Sequence, residues 1–138
     1  MAADDNHPPT ELVEYRGGCH CGAVRWQALG PAHIEAERCN CSICFMSGYV
    51  ELIVPAARFT LLQGSEALHT YTFNTGVAQH HFCRHCGVKS FYVPRSNPDG
   101  ISLNIHCFDQ PPSNITISDF DGVNWEQNAH TLAERSKL

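Results

Sequence analysis

From Leu12 onward the apolar residues fall in short runs bounded by glycine, proline and small polar residues, a β-rich pattern. In a strand, a period of two places alternate side chains on opposite faces. Leu12–Arg16 and Ala23–Leu29 flank "GGCHCG" and read as a hairpin around a cysteine turn. "HIEAER" (His33–Arg38) and "YVELIV" (Tyr49–Val54) flank a second cysteine run. Pro55 should stop the latter strand, because proline cannot donate to a ladder. Arg58–Gln63 and Ala67–Phe73 follow, with "GSE" as the turn between them. Gln79–Phe82 and Val88–Val93 flank "CRHCG", and "PRSNPDG" reads as a turn-rich loop. Ile101–His106 alternates as a strand, and "ITISDF" is one more short strand. The period changes only at the end. Over Asn124–Lys137, Trp125, Ala129, Leu132 and Ala133 share one helical face, with Asn124 placed as an N-cap. The pattern predicts a mainly β fold with a short C-terminal helix.

Length and composition support one folded domain over residues 11–138, preceded by a disordered acidic tail over residues 1–10. The chain has 138 residues, of which 43% are hydrophobic and 17% charged. A chain of this size buries roughly two-thirds of the surface its unfolded form exposes. No run approaches the roughly 18 apolar residues of a membrane span, which argues against a membrane partner. "MAADDNHPPTE" lacks the apolar core of a secretory signal. A cytoplasmic or nuclear location is therefore expected. The formal net charge is −5, and the nine Lys and Arg form no cluster. A nucleic-acid binder carries a basic patch, so the composition argues against direct nucleic-acid binding.

The eight cysteines change the picture most. They fall in C-x-C and C-x-x-C pairs, a spacing that suits a tetrahedral ion better than cross-links between distant segments. Cys19 and Cys21 are followed by Gly22; Cys83 and Cys86 are followed by Gly87. A knuckle needs a tight turn with φ > 0 after its second cysteine, and glycine takes it without steric cost. The two pairs supply four sulfurs, which make a closed structural zinc site. Cys39, Cys41 and Cys44 form C-x-C-x-x-C and can share a second ion, with Ser42 and Ile43 as a short turn. Its fourth position has two readings. Cys107 or a histidine closes it, or it is kept for an incoming ligand, as in catalytic zinc. Of the adjacent His80 and His81, strand alternation turns one inward, as a core histidine.

At these residues the chain resembles a known family. "GGCHCGAVRW", "CNCSIC" and "FCRHCGVKSFYVPRSNP" resemble the motifs of the glutathione-dependent formaldehyde-activating enzymes and centromere protein V, over about Leu12 to Trp125. "TYTFNTGVAQHHFC" is similar to the centromere-protein-V branch. The resemblance implies a β-tent of small antiparallel sheets around two zinc ions per chain. It implies structural zinc on Cys19, Cys21, Cys83 and Cys86, and catalytic zinc on Cys39, Cys41 and Cys44 with an open fourth position. It implies a carbon–sulfur lyase-type activity that forms S-hydroxymethylglutathione from formaldehyde, with glutathione as co-substrate. The ligand set agrees with that, because three thiolates make a soft ion that favours sulfur. Family members also tend to carry Cys-x-Asp where Cys107 and Asp109 stand. Arg95 matches a glutathione carboxylate by its planar fork, so Arg95 and Cys107 are the candidate substrate-binding residues. The other reading is a non-catalytic zinc scaffold of the centromere-protein-V type, acting through protein partners.

Overall fold

The computed structural model describes residues 11–137; the expected tail over residues 1–10 lies outside the described residues. The fold is mainly β, built as three small sheets with short helical turns at the C-terminal end. Strands β1 (Leu12–Gly18) and β2 (Arg25–Pro31) form the expected hairpin, with Tyr15 opposite Ala28. Strand β5 (Phe59–Gln63) completes that sheet on the other side of β2. β2 alternates cleanly, and its inward residues Trp26 and Ala28 are fully buried.

The five-stranded sheet carries the functional region. Its order is β10 (Ile115–Phe120), β3 (Ile34–Cys39), β4 (Val50–Pro55), β9 (Gly100–Asn104) and β8 (Phe91–Tyr92). β4 lies at its centre, and Val50 to Val54 are all buried, so the strand reads as an unbroken run rather than an alternation. Pro55 ends it as expected. β6 (Leu68–Tyr71) and β7 (His80–Cys83) form a separate two-stranded ribbon. The core gathers Val24, Trp26, Ile34, Val54 and Leu103 between the sheets. The buried Trp26 N–H donates to Ser90 Oγ at 3.2 Å, which satisfies its one polar atom.

Three local features depart from the expectation. First, β10 pairs with β3 in parallel, with Phe120 beside Cys39, although every other ladder is antiparallel. The chain leaves β9 and crosses to the far edge of the sheet, a move alternation alone does not encode. Second, the segment after Cys41 is not a plain turn but a helix, α1 (Ser42–Ser47), closed by Gly48 in the left-handed region. Third, the C-terminal segment is not one helix. α2 (Trp125–Asn128) is followed by two 3-10 turns, Ala129–Thr131 and Ala133–Lys137. The fully buried Asn97 amide donates to the carbonyls of Leu132 and Ala133 at 2.9 and 3.2 Å. Leu132 O also accepts the Arg135 N–H at 2.9 Å, an i→i+3 bond, so Asn97 ties down a 3-10 turn rather than an α-helical one. Asn124 stands at the N-cap position, but its side chain makes no cap bond and donates instead to Asp121 at 2.8 Å.

Candidate functional site

The eight cysteines sort into two clusters and one outlier. Cys19 and Cys21 lie in the turn after β1; Cys83 ends β7 and Cys86 follows three residues later. Their four sulfurs all lie within 4.8 Å of one another. Backbone N–H groups point at the sulfurs, from Val24 to Cys19 at 3.2 Å and from His85 to Cys83 at 3.3 Å. Gly22 and Gly87 sit at φ 85° and 79°, so both turns need the left-handed conformation that glycine takes freely. Amide-to-sulfur bonds of this kind favour thiolates and suit a closed tetrahedral cage.

Cys39, Cys41 and Cys44 make the second cluster, again with sulfurs within 4.8 Å. Among the described residues no fourth Cys, His, Asp or Glu joins it. Cys39 ends β3, Cys41 precedes the first residue of α1, and Cys44 lies in its first turn. The helix converts C-x-C-x-x-C into a three-sided cup. Cys41 collects the thiols of Cys39 and Cys44 and the N–H groups of Cys44 and Ile43, which together hold its pKa far down, at about 2. Cys44, beside both neighbours and buried, is pushed the other way. The three thiols titrate as one coupled group, with Cys41 its most acidic position.

Cys107 joins neither cluster. It follows β9 in a 3-10 turn, and the cysteines whose charge bears on it are Cys19 and Cys86, not those of the cup. Burial is the main cause that raises its thiol to about 11. Its neighbour in the proposed motif, Asp109, is taken up in an ion pair with Arg25. Cys107 therefore does not border the space in front of Cys39, Cys41 and Cys44.

That space is a cavity of about 170 Å³, with the three cysteines and Glu51 on its floor. Its walls include Phe73, His80, Tyr92, Arg95, Phe120 and Trp125. Arg95 is one of the residues that line this cavity. Its guanidinium stacks 3.8 Å from the Trp125 ring centroid and bonds Glu126 at 2.7 Å. Stacking fixes the plane of the fork and leaves donors free, since a guanidinium carries five N–H groups.

Behind the cysteines lies a buried polar network that the sequence reading did not identify. Glu51, on central strand β4, accepts hydrogen bonds from Tyr92 Oη and Ser102 Oγ, both at 2.9 Å. Burial raises its pKa against the effect of those donors. Lys89 Nζ lies 4.8 and 4.4 Å from the ring centroids of Tyr49 and Tyr92 and 3.0 Å from His80 Nδ1. Burial lowers its pKa, and the charges of Cys44 and Glu51 oppose that. His80 is the inward histidine of the pair, 3% exposed, while His81 meets Thr70 Oγ1 on the other face at 2.8 Å. The His80 ring stacks between Phe73 and Tyr92, at 5.5 and 4.8 Å between centroids. Burial first, and then Lys89, push His80 down to about 4. Strand alternation could point one histidine inward; only the folded arrangement shows what it faces. His20 and His85 are exposed, as surface residues of the knuckles.

Comparison with known proteins agrees with this architecture. A curated protein of Halomonas elongata, provisionally named a glutathione-dependent formaldehyde-activating enzyme, is 33% identical over 78 residues. The aligned stretch is 51% of this chain and 50% of that protein, so the chain matches about half the relative's length. A crystal structure of a Rhodobacter sphaeroides protein superposes with a TM-score of 0.64 at 29% identity, over 75% of this chain and 99% of the other. The family model described as glutathione-dependent formaldehyde-activating enzyme matches residues 14–119, from β1 through nearly all of β10. With that span covering both cysteine clusters and the strands that carry them, the chain belongs to the glutathione-dependent formaldehyde-activating enzyme family.

Proposed function

We propose that the chain is a zinc-dependent carbon–sulfur lyase-type enzyme that combines glutathione with formaldehyde, or handles a closely related thiol adduct. The observation that carries this reading is the three-cysteine cup, which no fourth ligand joins among the described residues and which opens on a cavity. The donor sets fit zinc in both places. Four converging sulfurs with backbone N–H support suit a closed structural ion, and three suit an ion with one exchangeable position. Zinc held by Cys39, Cys41 and Cys44 would favour an external sulfur as its fourth ligand and favour that sulfur as the thiolate.

The remaining work falls to the chain's own side chains. A cavity of 170 Å³ admits a cysteine side chain and a one-carbon aldehyde, while the rest of a tripeptide extends to the mouth. There Arg95, held flat by Trp125, offers N–H donors to a carboxylate. Phe73 and Phe120 line the cavity and limit water beside the reacting atoms. The reaction forms one C–S bond and breaks the C=O π bond. The oxygen takes that electron pair, and the thiol's proton ends on it. Holding sulfur and carbon together is the main gain, since the encounter becomes intramolecular.

Calorimetry on the zinc-loaded protein tests the reading. Glutathione should bind, and Arg95→Ala should weaken it about tenfold, the value of one charge-assisted bond. Absence of binding heat, with both metal sites inert to exchange, refutes the enzyme and supports the scaffold alternative.

A further inference from the structure

We infer that His80 presents an Nε2–H to the cysteine cavity and donates it to the oxygen that derives from the aldehyde. The inference rests on the thiol-plus-aldehyde reading above. It starts from an unmet hydrogen-bonding atom. His80 Nε2 is buried and has no partner, one of two such side-chain atoms among the described residues. Buried polar groups are nearly always paired, so an orphan at a cavity wall marks a place for a ligand atom.

The other ring nitrogen decides what Nε2 is. Lys89 Nζ lies 3.0 Å from Nδ1. An ammonium has donors and no acceptor, so Nδ1 accepts. A neutral imidazole carries one proton, which must then be on Nε2. Lys89 is fixed in this role by the Tyr49 and Tyr92 faces and by the nearby buried Glu51. Lys89 does not line the cysteine cavity, whereas His80 does, together with Cys41, Cys44 and Tyr92. Nε2 lies on the ring edge away from Lys89, and the inference turns that edge towards the cavity. Stacking between Phe73 and Tyr92 holds the plane in place. A fixed neutral donor beside the reacting carbon suits an oxygen that gains negative charge during addition. The proton of Nε2 stays on the ring; it stabilises the oxygen without being transferred.

Two measurements test this. In protein with ¹⁵N-labelled histidine, the His80 ring should show its proton on Nε2 and an unprotonated Nδ1; a proton on Nδ1 overturns the inference without reference to any ligand. The second compares S-hydroxymethylglutathione with S-ethylglutathione, which differ in a hydroxyl against a methyl group. His80→Phe keeps the stacking ring and loses the donor. It should weaken the hydroxymethyl ligand about tenfold and the ethyl ligand less than about twofold. His80→Gln restores an amide N–H and should recover most of the loss. Equal weakening of both ligands, or of neither, overturns the assignment while the thiol reading stands. Wild-type protein that binds neither glutathione nor its adduct overturns the thiol reading and this inference with it.

Discussion

One methyl group at Gly122 should disable the three-cysteine cup while sparing the four-cysteine cage. Gly122 follows β10 and lies against the end of β3. A Cβ there would stand less than 3 Å from Cys39 Sγ and 3.0 Å from Cys41 Cβ. Carbon contacts settle near 3.5–4.0 Å and sulfur is larger, so the thiol must retreat by about 1 Å. The backbone cannot absorb the move, because Asn40 N–H bonds Phe120 O at 3.2 Å and Gly122 N–H bonds the same carbonyl at 3.0 Å. Metal–ligand distances tolerate about 0.2 Å. A displacement several times larger should weaken metal binding in the cup about a hundredfold. Cobalt titration reads this directly through sulfur-to-cobalt charge transfer, with chelator competition giving each affinity. Wild type should hold two equivalents, and Gly122→Ala one tight and one weak. Gly76→Ala is the control: its φ of 74° adds backbone strain, but nothing stands near its Cβ. It should cost about 1 kcal/mol of stability and leave both metal equivalents. If Gly122→Ala holds the second equivalent as tightly as wild type, the packing argument is wrong.

Other consequences follow from the buried groups. Cys83 is 1% exposed and joins segments 62 residues from Cys21. Structural zinc is worth on the order of 10 kcal/mol in small domains, so chelation or Cys83→Ser should abolish the native melt; an unchanged circular dichroism melt in apo-protein refutes the cage. Ser90→Ala leaves the buried Trp26 N–H unpaired and should cost about 1–3 kcal/mol in urea unfolding; no loss would mean another acceptor replaces it. Glu37 is 4% exposed, has one oxygen without a partner, and is pushed up to about 7 by burial despite Arg135 at 2.7 Å. Its folded pKa exceeds the ordinary 4.5, so the folded chain holds the proton longer and its contribution falls as pH rises from 4.5 to about 7. The loss is on the order of 3 kcal/mol across that window. His80, pushed down to about 4, loses its contribution as pH falls from 6.5, so the two trends oppose each other in the wild type. Glu37→Gln removes one of them: its stability relative to wild type should climb between pH 4.5 and 7, and a pH-independent difference refutes the assignment.

The hairpins and the knuckles were legible because their signals are local. "GGCHCG" names its own turn, and Gly22 and Gly87 take the left-handed φ that the knuckle requires. Pro55 stops β4 where a ladder donor is lost. Two of the misses depend on distant partners. β10 joins β3 in parallel only because the chain crosses the sheet after β9. The C-terminal segment ends in 3-10 turns tied down by Asn97, some 35 residues upstream, which binds the Leu132 carbonyl. "CNCSIC" carries too few residues to show a helical period, so α1 was read as a turn. The cavity was harder still. Arg95 stands out by its chemistry and lines the cavity, but Glu51 reads as one polar residue in an apolar strand, and His80 as an ordinary core histidine. Cys107 stands out by the Cys-x-Asp resemblance and by its place at a strand end, and the fold carries it away from the cup.

The central claim is that the second ion keeps one position for an external thiol. Zinc-edge X-ray absorption on the two-zinc protein tests it most directly. Seven protein sulfurs shared by two ions average three and a half per zinc. Saturating glutathione should raise that average to four. An average of four before glutathione is added, or no change after it, contradicts the account.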